Sequence, residues 1–147
     1  MKSRFNNSGG RQKRRPEATR GPVARLASAT IVGFIPTKDF RRAKTFYATK
    51  LGLRFLARDE FALVFESGGT TIRVVRVGEF KAADFTILGW RVAEVAESVR
   101  KLGRRGIVFE RYAWLKQDAL GIWTAPGGTK IAWFKDPDGN VLSLSSR

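Results

Sequence analysis

The feature that most narrows the fold is an order of segments that the chain runs through twice. The apolar stretch 31–36 reads as a strand ended by Pro36. It leads into a helix whose Phe40, Ala43, Phe46 and Tyr47 fall at helical spacing, and which stops at Leu51-Gly52. Thr37 is expected to cap this helix, with Asp39 in its first turn. Three strands follow, over 53–57, 61–65 and 71–77, divided by the turn residues Asp59-Glu60 and Ser67-Gly68-Gly69. Residues 86–92 then begin the order again. A helix carrying Val95, Val99 and Leu102 comes next, then a strand over 107–109. A hairpin of 130–135 and 141–144 closes the half around Asp136-Pro137-Asp138-Gly139-Asn140, a run of turn residues.

The halves correspond in detail. Gly33-Phe34 answers Gly89-Trp90, and Gly52-Leu53-Arg54-Phe55 answers Gly106-Ile107-Val108-Phe109. Phe65-Glu66 with Ile72-Arg73-Val74 answers Phe134-Lys135 with Leu142-Ser143-Leu144. A β-α-β-β-β order met twice predicts an α+β domain over 28–147, with modules over about 28–78 and 84–147. The second half also holds an extra segment, 111–128, which contains Trp114, Gln117 and Trp123.

Residues 1–27 lie outside this frame and read as a basic, disordered tail. They combine Asn6-Asn7-Ser8-Gly9-Gly10, the basic run 11–15 and two prolines, with no apolar periodicity to bury. Eight basic residues against Glu17 put +7 on residues 1–25, out of +15 for the whole chain. Clustered Lys and Arg suit nucleic-acid phosphates, a weaker reading than a solvated tail. Arg20 and Arg25 interrupt the stretch where an export signal would need apolar residues. No apolar run reaches the roughly 18 residues of a membrane helix.

Two absences exclude whole classes of chemistry. With no cysteine there is no disulfide framework, thiol nucleophile or thiolate-held metal, which also fits a reducing cytoplasm. With no histidine, neither a facial triad of two histidines and a carboxylate nor a serine–histidine–carboxylate triad is available.

The residues Asp39-Phe40-Arg41-Arg42-Ala43-Lys44-Thr45-Phe46-Tyr47, Leu51-Gly52-Leu53, and the closing 133–142 resemble the glyoxalase/bleomycin-resistance/dioxygenase (vicinal oxygen chelate) superfamily. The resemblance covers about 30–145. It implies two modules whose sheets curl around a pocket, in a homodimer. It also implies metal ligands at the places held here by Val32, Arg73, Ile87 and Ser143. Val32 and Ile87 have no donor atom, Arg73 is a permanent cation, and Ser143 is a weak neutral ligand. A one-residue slip, to Thr30, Gly33, Thr86 and Leu88, supplies no better set. The expectation is therefore a metal-free member without a cofactor.

Arg73 then stands where the resemblance puts the chemistry, a place for a carboxylate or phosphate. Arg91 is a weaker copy of that argument. Trp114 and Trp123 lie in a segment too long for a turn, and Gln117 is the one glutamine of the folded part, able to orient a ligand. Trp90 and Trp133 are expected in the core. With Ser143, these residues point to a protein that binds a small, partly aromatic, anionic ligand for sequestration or sensing. An enzyme of the same superfamily working without metal is the alternative.

Overall fold

The computed structural model describes residues 25–147 and places them in two four-stranded mixed sheets. The tail therefore lies almost wholly outside the described residues. In the first module, strand β1 (Val32–Thr37) is followed by helix α1 (Phe40–Lys44) and by strands β2 (Arg54–Arg58), β3 (Ala62–Ser67) and β4 (Thr70–Arg76). The second contains β5 (Thr86–Arg91), α2 (Val95–Arg104), β6 (Trp123–Thr124), β7 (Lys130–Lys135) and β8 (Val141–Ser145). The strand orders are β1-β4-β3-β2 and β5-β8-β7-β6, with β1 parallel to β4 and β5 parallel to β8. Neither sheet closes on itself. No helix among the described residues is long and apolar enough to cross a membrane.

The helical periodicity read in the sequence becomes the buried face of α1 and of the turn after it. Phe40, Ala43, Phe46 and Tyr47 are all buried. Over Thr45–Lys50 the helix widens, so that the Leu51 N–H reaches the Phe46 carbonyl five residues back. Asp39, rather than Thr37, caps α1: its carboxylate accepts from the N–H groups of Arg41 and Arg42. The Thr37 hydroxyl instead donates to the Asp138 carboxylate at 2.6 Å and so reaches the other module.

One face of each sheet is covered by helix, and the other is open. On the covered side lie Ile35, Leu63, Phe65, Ile72 and Val74 of the first sheet, and Ala132, Phe134, Leu142 and Leu144 of the second. Period-two alternation turns Phe34, Val64 and Arg73 to the open side of the first sheet, and Gly89, Trp133 and Ser143 to that of the second.

This register corrects three expectations. Phe34 lies beside Arg73, and Gly89 beside Ser143, so the counterpart of Phe34 is Gly89, while Trp90 corresponds to the buried Ile35. The shared glycine misaligned the halves by one residue, which in a strand exchanges the faces. Trp133 is likewise not a core residue, because its neighbour Phe134 takes the covered side. Finally, the strand expected over 107–109 is reduced to a bridge between Phe109 and Phe134, and β6 pairs beside it from within the 111–128 segment.

The modules are joined on the helix side. Asp136, buried in the closing turn, accepts from the Tyr47 hydroxyl at 2.6 Å, the Asn140 amide at 2.8 Å and the N–H groups of Asp138 and Asn140. The Asn140 amide also donates to the Pro36 carbonyl, and the Arg42 guanidinium to the Pro137 carbonyl. The turn chemistry read in Asp136-Pro137-Asp138-Gly139-Asn140 is present, and it also fastens α1 of one module to the hairpin of the other. The Trp90 indole N–H donates to the Ser67 hydroxyl, and Phe46 packs against Phe134.

Candidate functional site

The first open face centres on Arg73. Strand register sets it between Phe34 and Val64, and its guanidinium donates to Asp59 at 2.6 Å. Asp59 also accepts from the N–H groups of Phe61 and Ala62, which holds it at the β2–β3 turn. The Arg73 bond, followed by these two, pulls the Asp59 carboxyl below its usual range. Phe34 is 65% exposed and Val32 43% on the same strand edge.

The second open face is aromatic. Trp133 packs edge-on against Tyr112, at 5.6 Å between ring centres, and tilted against Trp123 at 6.2 Å. Tyr112 in turn packs on Trp114 at 5.0 Å, leaving Trp114 78% exposed. The Trp133 indole N–H donates to the Thr86 hydroxyl. Beside these rings Ser143 is buried under Gly89, where a Cβ would come within 2.5 Å of its Oγ. Glycine is therefore what leaves room for the hydroxyl. Burial, and then the charge of Glu110, push the Tyr112 phenol up.

Of the residues singled out in the sequence, Trp123 and Ser143 share this second face, and Arg91 stands exposed at its end, opposite Ser145. Trp114 joins them through Tyr112. Gln117 does not face outward. Its amide oxygen accepts from the Tyr112 N–H, and its amide nitrogen donates to the carbonyls of Glu110 and Gly121, so it holds the 111–128 segment together. Trp133, expected in the core, and Tyr112, which was not among the expected ligand-binding residues, also belong to this face. Strict alternation from the apolar Phe134 would have found Trp133. Arg73 lies on the other module, and among the described residues no hydrogen bond, ion pair or ring contact joins the two open faces within one chain.

A concavity of about 330 Å³ opens between the modules on the helix side, against Leu51, Leu53, Trp90, Leu102 and Phe134. None of the sequence-derived site residues lines it.

The donor set does not fit a divalent metal. Val32 and Arg73 share the first open face, Ile87 packs partly against the core, and Ser143 supplies a single neutral oxygen. Among the described residues no three carboxylates come together.

No protein-family model matches the sequence, and no curated protein shows significant similarity to it. Solved structures do resemble it. A lactoylglutathione lyase from Agrobacterium tumefaciens superposes with a TM-score of 0.64 at 16% identity, covering 83% of this chain and 96% of that one. A glyoxalase/bleomycin resistance protein/dioxygenase from Nocardioides gives 0.64 at 16% identity, over 84% and 86% of the two chains. A member of the same superfamily from Sphaerobacter thermophilus gives 0.63 at 18% identity, over 82% and 98%. The chain has the fold of the glyoxalase/bleomycin resistance/dioxygenase superfamily, built from its two tandem modules.

Proposed function

We propose that this protein holds a small, partly aromatic, anionic molecule without a metal, as a sequestering or sensing protein. The observation that carries the reading is the furnishing of the open faces: Arg73 stands at one place where the superfamily resemblance sets a metal ligand, and aromatic rings gather beside another, Ser143. Tyr112, Trp123 and Trp133 offer rigid apolar surface with little rotamer freedom to lose, and Arg73 offers charge-assisted hydrogen bonds. For both to meet one ligand, the open face of one module has to come against that of the other. Among the described residues of one chain nothing joins the two faces, so the reading includes a homodimer.

Anilinonaphthalene sulfonate, an aromatic anion that fluoresces on binding, tests this directly. Titrated into the purified protein in excess EDTA, it should bind saturably, and Trp123→Leu should weaken it about fivefold or more. Near-ultraviolet circular dichroism separates a folded site from loosened packing, which also takes up the dye. Loss of binding in EDTA, about one metal ion per purified chain, or unchanged affinity in Trp123→Leu would each sink the reading.

A further inference from the structure

We propose a second anion site on the helix side of the first module, built to take a chain of phosphate groups. A concavity of about 550 Å³ there is lined by Arg41 and Lys44 of α1, Arg58 of β2 and Arg76 of β4. All four side chains are exposed, and their elements bring them together over the buried Phe40 and the half-buried Phe55. The single carboxylate that lines it among the described residues, Asp39, caps the helix, accepting from two backbone N–H groups.

Two properties suit this cluster to an anion. First, none of the four cations is ion-paired among the described residues, whereas Arg54, Arg73 and Lys101 each have a carboxylate. Second, three of the four are positioned by rings. The Arg76 guanidinium lies 4.1 Å from the centre of Phe40 and that of Arg58 5.2 Å from the same ring, while the Lys44 ammonium lies 4.1 Å from the centre of Phe55. A ring beside a cation steadies it while leaving N–H groups to donate, so part of the ordering that an anion would otherwise impose is already in place. Like charges gathered on one ring repel each other, and a polyanion bridging them removes that repulsion. A single carboxylate cannot span four cations from three elements; linked phosphates can. This site is separate from the open faces, and its failure would leave the reading above intact.

The test uses the full chain, tail included, with inorganic tripolyphosphate as the probe in calorimetric titration at physiological salt. Arg58→Met with Arg76→Met keeps an apolar cover on Phe40 and removes two charges. Arg100→Met with Arg104→Met on α2 is the charge-matched control. The first pair should weaken tripolyphosphate at least about tenfold and the control less than about twofold. A twelve-nucleotide oligothymidylate run in parallel identifies the source of the phosphates: the probe that shows the site-selective loss is the class the groove takes. Equal losses in the two double variants with both probes, or no saturable binding to the unsubstituted protein, would overturn the proposal. Melting temperatures without a probe, expected to stay close to that of the parent, separate lost binding from lost folding.

Discussion

The guanidinium of Arg73 donates to Asp59 at 2.6 Å, so an anion arriving on the first open face meets an ion pair rather than a bare cation. Among the described residues its remaining N–H groups have no other partner, but the carboxylate opposes the newcomer. Arg73→Met should therefore weaken anilinonaphthalene sulfonate about tenfold, while Asp59→Asn, which keeps the turn's acceptor oxygen, should tighten it about threefold. Arg76→Met is the comparison, because Arg76 lies over Phe40 on the helix side, within the second anion site. Dye titration of the three variants decides: a loss confined to Arg76→Met places the dye site on the covered face. Asp136 poses the opposite case, a carboxylate engaged on both oxygens. Burial pushes its carboxyl up from the usual 3.8 against the pull of the Tyr47 and Asn140 bonds. The folded state thus holds this proton more tightly than the unfolded one, and its contribution to stability falls as pH rises from 3.8 toward the raised value. Asp136→Asn puts an amide donor against the donors of Tyr47 and Asn140 and should cost about 2–4 kcal/mol at acid pH. That deficit should narrow as pH rises above 3.8. Chemical denaturation of both proteins across this range checks it, and a pH-independent difference would count against a raised carboxyl.

At the scale of the element, the 111–128 segment decides how much of the aromatic face is rigid. It carries Trp114 and Trp123, and it is closed on itself by the three hydrogen bonds of Gln117 and by Arg111 donating to the carbonyls of Asp118 and Ala119. The Asp118 carboxylate adds N–H partners at Leu120 and Ile122. The segment is an ordered ledge rather than a lid. Gln117→Ala should leave the Tyr112 N–H and two carbonyls without their partner and lower stability by about 1–3 kcal/mol. Hydrogen exchange at the Tyr112 amide should quicken before any strand amide does. Exchange there as slow as in the parent would mean that other contacts hold the ledge.

At the scale of the whole molecule, β1 and β5 are edge strands, and β1 displays Val32 and Phe34 beside the exposed Ile31. An apolar free edge next to an open face is a surface that soluble proteins cover. A homodimer would cover it and bring together the two open faces that the proposed pocket needs. Sedimentation should give a dimer at micromolar concentration, and Phe34→Glu should shift it to monomer without unfolding it. A parent protein that sediments as a monomer would remove the composite pocket from the proposal.

Much of this was legible in the sequence, and for a local reason. Helical and strand periodicities are set by the residues that carry them, so α1, α2, the first module's strands and the closing hairpin could be read directly. The missing donors at Val32 and Ile87 and the cation at Arg73 were equally plain, because no fold gives an alkyl chain a lone pair or readily takes the proton from a guanidinium. Partnership was decided only by tertiary structure. The Tyr47–Asp136 bond joins residues 89 apart, and Asn140 reaches Pro36 across 104. Gln117 turns inward because three backbone groups of a folded loop happen to converge on it. Which open face meets which ligand depends in turn on the path of the chain between modules, and no local pattern of side chains encodes that path.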